Sequence, residues 1–390
     1  MRRAYRYRLW TNANQEPELG ILLESHRRLY NACLHQRQTT YETERRSVKY
    51  REQSAWFKEQ RAVNPYFACL NFSSAQATMR RLDRAFQAFF RRCAAGEKPG
   101  YPRFKARHRF DSIAFPAYGD GIKLLPNNRL RVQHAGTIRV KLHRPIEGTI
   151  KTVTLKLEAG KWYMVFSCEL RDVPVVDTGK PPVGIDVGLE SFLTTSDGEQ
   201  EPNSHYLKDA LPKLRRVARA VSRKPKGGSN RRKAVRRLAK VHARVRNQRR
   251  EHHHQVALRL ARRYGLIAVE RLNVQGMLRS RRFSRAIADA GWSGFLLTLK
   301  HKAESAGVRF VEVDPQGTSQ QCSHCGREVR KALSIRWHKC SHCGLSLHRD
   351  HNAALNILAL ARLAWTKPVG ENVGPKVKRL PRSRRLQPTE

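Results

Sequence analysis

Two Cys-x-x-Cys pairs near the end of the chain restrict its fold more than any other feature. Cys322 and Cys325 form the first pair, Cys340 and Cys343 form the second, and 14 residues separate the two pairs. Two thiolates at this spacing bind one ion from a single turn, and two such turns complete a tetrahedral Zn²⁺ site. Because four thiolates leave no position for a water ligand, the pattern predicts a structural rather than a catalytic zinc.

The charge of the chain points to its partners. Lys and Arg number 77 against 32 Asp and Glu, which gives a net charge of +45 over 390 residues. A charge of this size opposes compaction unless a polyanion neutralises it, so nucleic acid is the first candidate partner and an anionic membrane the second. A basic enzyme without such a partner is the remaining alternative. No signal peptide and no membrane span are predicted, because no apolar run is long enough.

The apolar pattern divides the chain into segments with different periodicities. Alternation over residues 2–10 predicts a strand, and helical periodicity follows from about 15 to 90. Near the end of this helical region, one apolar stripe is formed by Met79, Leu82, Phe86, Phe89 and Phe90. Residues 113–170 carry several short strands, with hairpin turns predicted at 126–128 and 158–160, and we predict that they form one small β-barrel with the first strand. After a linker at 171–182, buried strands alternate with helices. These include a very basic helical hairpin from about 207 to 264, which is interrupted at 224–228, and a single helix over 285–305.

Three carboxylates lie in apolar surroundings although acids are scarce. Asp186 lies within VGIDVGL, Glu270 ends LIAVE, and Asp350 precedes a helix predicted to begin at Asn352. Burying unpaired carboxylates is costly, and a pair of divalent cations would remove that cost. Mg²⁺ or Mn²⁺ suits hard oxygen ligands, and two-metal sites hydrolyse phosphodiesters. Taken singly, Asp350 could instead be the N-cap of its helix, and Glu270 could pair with an arginine.

Several motifs occur in a specific order along the chain. They include AFQAFFRR, KPGYPRFKAR, GIDVGL, AVERLNVQGM, DAGW, VDPQGTSQQCSHCG and HRDHNAALNIL. In content and order they resemble the TnpB family of bacterial and archaeal insertion sequences, which is related to the miniature type V CRISPR effectors. The resemblance covers nearly the whole chain. It implies an RNA-guided DNA endonuclease with an RNase H-like RuvC domain, in which Asp186, Glu270 and Asp350 form the metal-binding catalytic triad.

The resemblance also implies a multidomain α+β fold. The expected domains are a wedge β-barrel (1–12 plus 108–172), a helical recognition domain (13–107), a RuvC nuclease domain of α/β type (173–316 plus 347–366), a zinc-binding target-nucleic-acid domain (317–346) and a basic disordered tail (367–390). The cofactors it implies are Mg²⁺ or Mn²⁺, Zn²⁺ and a guide RNA from the transposon end. The expected partners are that RNA and double-stranded target DNA in the prokaryotic cytoplasm, and a transposase of the same element is a further candidate.

Two positions depart from the family pattern beside the triad. His348 stands where the family has the first acid of Asp-Arg-Asp, and Arg271 stands where it has the acid of Glu-Asp-Leu-Asn. All three triad acids are nevertheless retained. Their presence argues against one alternative function, an RNA-guided DNA-binding repressor that does not cleave. An accessory transposition protein is another alternative. A DNA-joining transposase is a further one, but no Ser or Tyr context favours covalent strand transfer.

The basic segment at 222–263 suggests how nucleic acid is held. Its arginines surround apolar residues at helical spacing, which fits either a solvated basic face or a helix that grips the backbone of an RNA–DNA heteroduplex. Gln76 is the candidate for a base contact, with plain helix surface as the alternative, and Tyr101 is a candidate for stacking. The complete set of predicted nucleic-acid-binding residues is Gln76, Tyr101, Arg103, Lys105, Arg236, Arg244, Arg249 and Arg336.

Overall fold

The computed structural model of the protein describes residues 1–279, 283–332 and 334–365. The chain divides into two compact units, which are Met1–Val173 with Leu214–Ala243, and Pro174–Lys213 with Arg244–Glu390. Both units combine helices and strands, which confirms the mixed α and β content. Within the described part of the chain, no helix has the length and apolar character needed to cross a membrane. The tail predicted at 367–390 lies outside the described residues.

The first unit contains a seven-stranded antiparallel sheet with the order β2-β6-β7-β1-β5-β4-β3. Its strands are β1 (Arg2–Trp10), β2 (Ser112–Phe115), β3 (Ile122–Leu125), β4 (Arg129–Val132), β5 (Gly136–Lys141), β6 (Thr149–Glu158) and β7 (Lys161–Glu169). The N-terminal strand β1 lies between β5 and β7, with Arg2 opposite Glu169. It therefore joins the later strands in one sheet, as the sequence predicts.

Residues with left-handed backbone angles form the tight turns of this sheet. Asn127 and Asn128 connect β3 to β4 with φ angles of 60° and 56°, which asparagine tolerates better than most residues. Ala159 and Gly160 connect β6 to β7 with φ angles of 50° and 75°. Both turns are those predicted from the sequence. Along β7 every second residue from Trp162 is buried, so one face of the strand lies in the core.

Four helices precede the later strands. They are α1 (Gln15–Glu44), α2 (Tyr50–Val63), α3 (Pro65–Ala68) and α4 (Phe72–Ala94). Met79, Leu82 and Phe86 of α4 are buried, which confirms most of the predicted apolar stripe. Phe90 is an exception, because it is 56% exposed. Its ring packs against those of Phe86 and Phe89, so these aromatic side chains cover one another at the end of the helix.

The second unit contains a five-stranded mixed sheet with the order β10-β9-β8-β11-β12. Its strands are β8 (Pro182–Asp186), β9 (Ser191–Thr195), β10 (Gln200–Pro202), β11 (Leu266–Glu270) and β12 (Arg309–Val313). Strand β11 pairs in parallel with both β8 and β12, and β9 runs antiparallel to β8. Parallel strands are covered on both faces, which explains why β8 and β11 are apolar throughout except at their final acids.

The remaining elements are helices and one short hairpin. They are α5 (Tyr206–Ser222), α6 (Ser229–Arg263), α7 (Val274–Met277), α8 (Ser284–Ala290), α9 (Trp292–Ser305), β13 (Trp337–Lys339), β14 (Ser346–His348) and α10 (Arg349–Trp365). The predicted break in the basic hairpin is confirmed between α5 and α6. The single helix predicted over 285–305 is wrong, because Gly291 has a φ of 68° and separates α8 from α9.

Candidate metal centre

Two of the three predicted triad residues end neighbouring parallel strands. Asp186 is the last residue of β8 and Glu270 is the last residue of β11. Ile185 pairs with Val269, so the next residue of each strand reaches the same edge of the sheet. The apolar residues of each strand are buried in the core, and the acid that ends each strand lies at the edge of the sheet. The sheet therefore brings together two carboxylates that lie 84 residues apart in the chain.

The third carboxylate reaches this edge from a helix packed on β8. Helix α10 begins at Arg349, three residues before the predicted start, so Asp350 lies in its first turn and is not the N-cap. Gly184 of β8 permits a close approach of α10, because a Cβ atom at this position would lie 2.8 Å from the amide nitrogen of Leu358. A Cβ atom on Gly188 would lie 3.5 Å from Asp350 Oδ2, which places this carboxylate beside the loop that follows Asp186.

The charges of Glu270 and Asp350 both act on Asp186. Burial raises the pKa of Asp186 well above its ordinary value, and the charges of Glu270 and Asp350 raise it further. Arg349 opposes this shift but does not cancel it. Burial also raises the pKa of Glu270. The hydroxyl of Thr318 donates a hydrogen bond to Glu270 Oε1, which lowers this pKa but does not cancel the effect of burial. Negative charge that the protein does not neutralise favours a bound cation.

The residues at this edge fit a divalent cation that prefers oxygen ligands. All three side chains are carboxylates, the hard ligands of Mg²⁺ and Mn²⁺. The four cysteine sulfurs are a different set of ligands, and all lie within 4.8 Å of one another. The ligand atoms of the two sites therefore suit different kinds of metal ion.

The four cysteines form a separate site with the geometry of a zinc centre. Cys322 Sγ lies 3.6 Å from Cys343 Sγ, and Cys325 Sγ lies 3.6 Å from Cys340 Sγ. Tetrahedral coordination with Zn–S bonds of about 2.3 Å requires sulfur atoms about 3.8 Å apart, so these two distances fit a Zn²⁺ site. The two pairs come from different turns, as their spacing predicts.

Each cysteine pair lies in a turn of the same construction. The amide of Gly326 donates to the carbonyl of Cys322, and the amide of Gly344 donates to that of Cys340. Both glycines have left-handed φ angles, 73° and 76°, which a residue with a side chain adopts at a cost. Burial raises the pKa of Cys340, but hydrogen bonds from the amides of His342 and Cys343 and from neighbouring thiols outweigh it and lower the pKa, whereas the same thiol contacts raise the pKa of Cys343.

Three polar residues near both sites were not predicted from the sequence. Thr318 contacts Glu270, and Asn352 and Asn356 of α10 bind the backbone before and within the first cysteine pair. Asn352 is fully buried and Asn356 nearly so. A signal was present, because two asparagines four residues apart on an apolar helix are unfavourable unless their amides have partners. The sequence does not show what those partners are.

The predicted nucleic-acid contacts in the first unit occupy varied positions. Gln76 is partly exposed on α4, while Arg103 and Arg236 are exposed. Tyr101 is 45% exposed, and its ring lies edge-on to Phe89 with centroids 5.2 Å apart. The backbone of Lys105 is bound to the side chain of Asn31, so this loop is anchored to α1. These placements leave every one of these side chains with some access to solvent.

The second unit contains the other three predicted contacts. Arg244 is exposed on α6. Arg249 donates to Asp289 at 3.1 Å, and that carboxylate also accepts from the backbone amide of Leu207 at the start of α5. Arg336 forms an ion pair with Glu190 at 2.9 Å. Arg249 is therefore part of the internal hydrogen bonding of this unit, which its sequence context did not indicate.

Three family models match the chain. Residues 165–281 match the OrfB_IS605 model, described as "Probable transposase", and residues 292–357 match a model described as "Cas12f1-like, TNB domain". Residues 1–46 match a model described as "Helix-turn-helix domain". Here those residues form strand β1 and one uninterrupted helix, α1, so the name of the third model does not describe their structure.

Relatives of similar length share the sequence along nearly its whole extent. A Streptomyces pristinaespiralis protein with the provisional name RNA-guided DNA endonuclease is 32% identical over 96% of this chain and 93% of its own. An Escherichia coli protein, provisionally named RNA-guided DNA endonuclease InsQ, is 29% identical over 91% of each chain. A solved structure titled the mini-RNA-guided endonuclease CRISPR-Cas_phi3 is 10% identical, with a TM-score of 0.49 over 93% of this chain and 92% of that one. The first relative and the OrfB_IS605 match together show that the chain belongs to the TnpB family of insertion-sequence proteins.

Proposed function

We propose that the protein is an RNA-guided DNA endonuclease that cuts DNA beside a short transposon-associated motif by metal-dependent phosphodiester hydrolysis. The observation that carries this proposal is the convergence of Asp186, Glu270 and Asp350 at one edge of the second unit's sheet. The relatives named as RNA-guided DNA endonucleases support it, because they match this chain along more than nine-tenths of its length.

In this proposal the three carboxylates hold two Mg²⁺ or Mn²⁺ ions as a RuvC-type triad. When bound, such ions supply an activated water and stabilise the leaving oxygen of a phosphodiester. The protein contributes the positions and the negative charges of the three carboxylate ligands. Two ligands come from rigid parallel strands and the third from a helix that Gly184 allows to pack tightly on β8. Burial, and then the charges of Glu270 and Asp350, raise the pKa of Asp186, and bound cations would stabilise its ionised form against both.

The four cysteines hold a structural Zn²⁺ in this proposal, and the guide RNA supplies sequence recognition. Pairing between guide and target would select the site, while the protein grips the phosphate backbone with its basic surface. Gln76, Tyr101, Arg103 and Lys105 remain the proposed contacts in the first unit, along with Arg236. We keep the domain boundaries predicted from the sequence as part of this proposal. A partner transposase is not part of it, because the relatives give no support to one.

A plasmid-cleavage assay tests the proposal. The protein is purified with its bound RNA, the RNA is sequenced, and a matched target is cloned beside randomised flanking sequence. We expect Mg²⁺-dependent cutting of a subset of matched plasmids, no cutting of mismatched ones, and no cutting by Asp186→Ala. Matched plasmids that bind the complex but stay intact in every flanking context would instead indicate a repressor. Equal cutting by Asp186→Ala and the unaltered protein would refute the assignment of the triad.

A further inference from the structure

The loop between β12 and the first cysteine pair connects the two candidate metal sites through hydrogen bonds. At one end it touches the carboxylate site. The hydroxyl of Thr318 donates to Glu270 Oε1, and Thr318 is 1% exposed. This bond orients the Glu270 carboxylate at the edge of the sheet. Hydrogen bonds to ligating carboxylates orient them and affect metal affinity.

The same loop is bound to helix α10 by two buried amides. Asn356 Nδ2 donates at 2.8 Å to the carbonyls of Thr318 and Gln321, and Asn352 Nδ2 donates at 2.7 Å to the carbonyl of Gln321. Asn352 Oδ1 accepts from the amide of Ser323 at 2.9 Å. Both asparagines lie on the helix that carries Asp350, so this helix holds the loop from Thr318 to Ser323 along one face.

The other end of the loop is part of the cysteine cluster. Cys322 lies between Gln321 and Ser323, the two residues that the asparagines bind. Its amide donates to the carbonyl of Arg327, and the amide of Val329 donates to the carbonyl of Gln320. These bonds form a short hairpin around the first cysteine pair. An ion shared by the four sulfur atoms would join Cys322 and Cys325 of this hairpin to Cys340 and Cys343, and would so hold the hairpin together with the two asparagines.

We propose that Thr318, Asn352 and Asn356 are positioning residues that couple the cysteine cluster to Glu270, so that zinc at the cysteines strengthens divalent-cation binding at the carboxylates. This inference rests on the proposed function, because it takes the carboxylates to be a cation site. Zinc would hold the hairpin in position. The hairpin and the two asparagines position Thr318, and Thr318 orients the carboxylate of Glu270. The first step is metal coordination and the later steps are buried or partly buried hydrogen bonds, so the displacement of one group is transmitted to the next.

Direct measurement of Mn²⁺ binding tests this coupling without relying on cleavage. Electron paramagnetic resonance titrates free Mn²⁺ against the zinc-loaded protein, and zinc content is measured on the same samples. We expect Thr318→Val to keep its zinc and to bind Mn²⁺ about tenfold more weakly. Thr318→Ser, which retains the hydroxyl, should bind nearly as tightly as the unaltered protein. Thr298→Val is the matched control, because the Thr298 hydroxyl donates to the Gly294 carbonyl on an exposed part of α9.

Zinc removal tests the direction of the coupling. A mercurial reagent releases zinc from the thiolates, and Mn²⁺ titration is repeated before and after thiol and zinc are restored. We expect a reversible, about tenfold loss of Mn²⁺ affinity in the unaltered protein and little further loss in Thr318→Val. Zinc removal and the loss of the Thr318 hydroxyl interrupt the same series of contacts, so their effects on the free energy of Mn²⁺ binding are not additive. Unchanged Mn²⁺ affinity in zinc-loaded Thr318→Val would overturn the proposal whether or not the zinc-free protein stays folded.

A separate variant distinguishes this proposal from the function on which it rests. Asp186→Asn removes one carboxylate and should abolish tight Mn²⁺ binding. If Asp186→Asn binds Mn²⁺ like the unaltered protein, the carboxylate site itself is wrong. If Asp186→Asn fails to bind but Thr318→Val binds normally, the cation site stands and the coupling is wrong.

Discussion

Gly184 of β8 lies against Leu358 of α10 so closely that a methyl group on the glycine would lie 2.8 Å from the leucine amide nitrogen. The carbonyl oxygen of Ala354 would be nearer still. This close approach lets the helix pack tightly on the strand. Since β8 ends at Asp186 and α10 begins beside Asp350, the glycine sets the separation of two carboxylates.

Gly184→Ala should therefore disturb both stability and the carboxylate site. The added methyl group has to push α10 away from β8, which costs about 1–3 kcal/mol of unfolding free energy. Thermal unfolding and Mn²⁺ titration measure the two effects. Gly20→Ala is the control, because nothing lies within 4 Å of a Cβ atom there, and alanine in helix α1 should stabilise the protein by about 0.5–1 kcal/mol. Normal Mn²⁺ affinity in Gly184→Ala would contradict the link between this packing and the site.

The parts of this site that could be predicted from sequence are those with local signals. Apolar runs that end in Asp186 and Glu270 indicate buried strands with acids at their ends, and the cysteine spacing is independent of the rest of the fold. The start of α10 was misplaced by three residues, because Arg349 and Asp350 fit equally well into a loop or into a first helical turn.

The hydrogen bonds between elements could not be predicted in the same way. Asn352 and Asn356 bind backbone carbonyls, and because every residue has a carbonyl, the sequence does not show which ones they bind. Arg249 resembled its neighbours on a basic helix, and only the fold brings it to Asp289, 40 residues later in the chain. Such partners depend on tertiary position, whereas strands and turns depend on neighbouring residues.

Asp186→Asn should raise the stability of the metal-free protein at neutral pH. Burial and then the charges of Glu270 and Asp350 raise the pKa of Asp186, so its ionised form is penalised in the folded state. The unfolded chain loses this proton at a lower pH than the folded one, and stability therefore falls as the pH rises above the ordinary aspartate pKa of about 3.9. Asparagine removes this penalty.

Calorimetry in a chelator between pH 4 and pH 8 measures this effect. The melting temperatures of Asp186→Asn and the unaltered protein should coincide at the acidic end and diverge by a few degrees as the pH rises. Adding Mg²⁺ should stabilise only the unaltered protein. Glu97→Gln, at an exposed position after α4, is the control and should show no such divergence. A variant that is less stable than the unaltered protein at neutral pH would show that Asp186 has a favourable partner instead.

Replacing Cys340 and Cys343 together by serine should remove the zinc and destabilise the protein. A single pair of thiolates cannot complete the tetrahedron, and structural zinc contributes its binding free energy to folding. Metal analysis should show about one zinc in the unaltered protein and almost none in the variant, with a lower melting temperature. Cys93→Ser is the matched control, because Cys93 is an exposed free cysteine outside the cluster. Unaltered protein that is metal-free and as stable as the double variant would refute the zinc assignment.

Arg236→Gln combined with Arg244→Gln should weaken nucleic-acid binding in a salt-dependent way. Both side chains are exposed on α6, and removing one arginine–phosphate ion pair reduces the slope of log affinity against log salt by about 0.7–0.9. Fluorescence anisotropy with labelled guide RNA at several salt concentrations measures this slope. Arg249→Gln is the informative comparison, because its guanidinium donates to Asp289. We expect it to lower the melting temperature and leave the slope unchanged, and a reduced slope with normal stability would show that Arg249 binds phosphate after all.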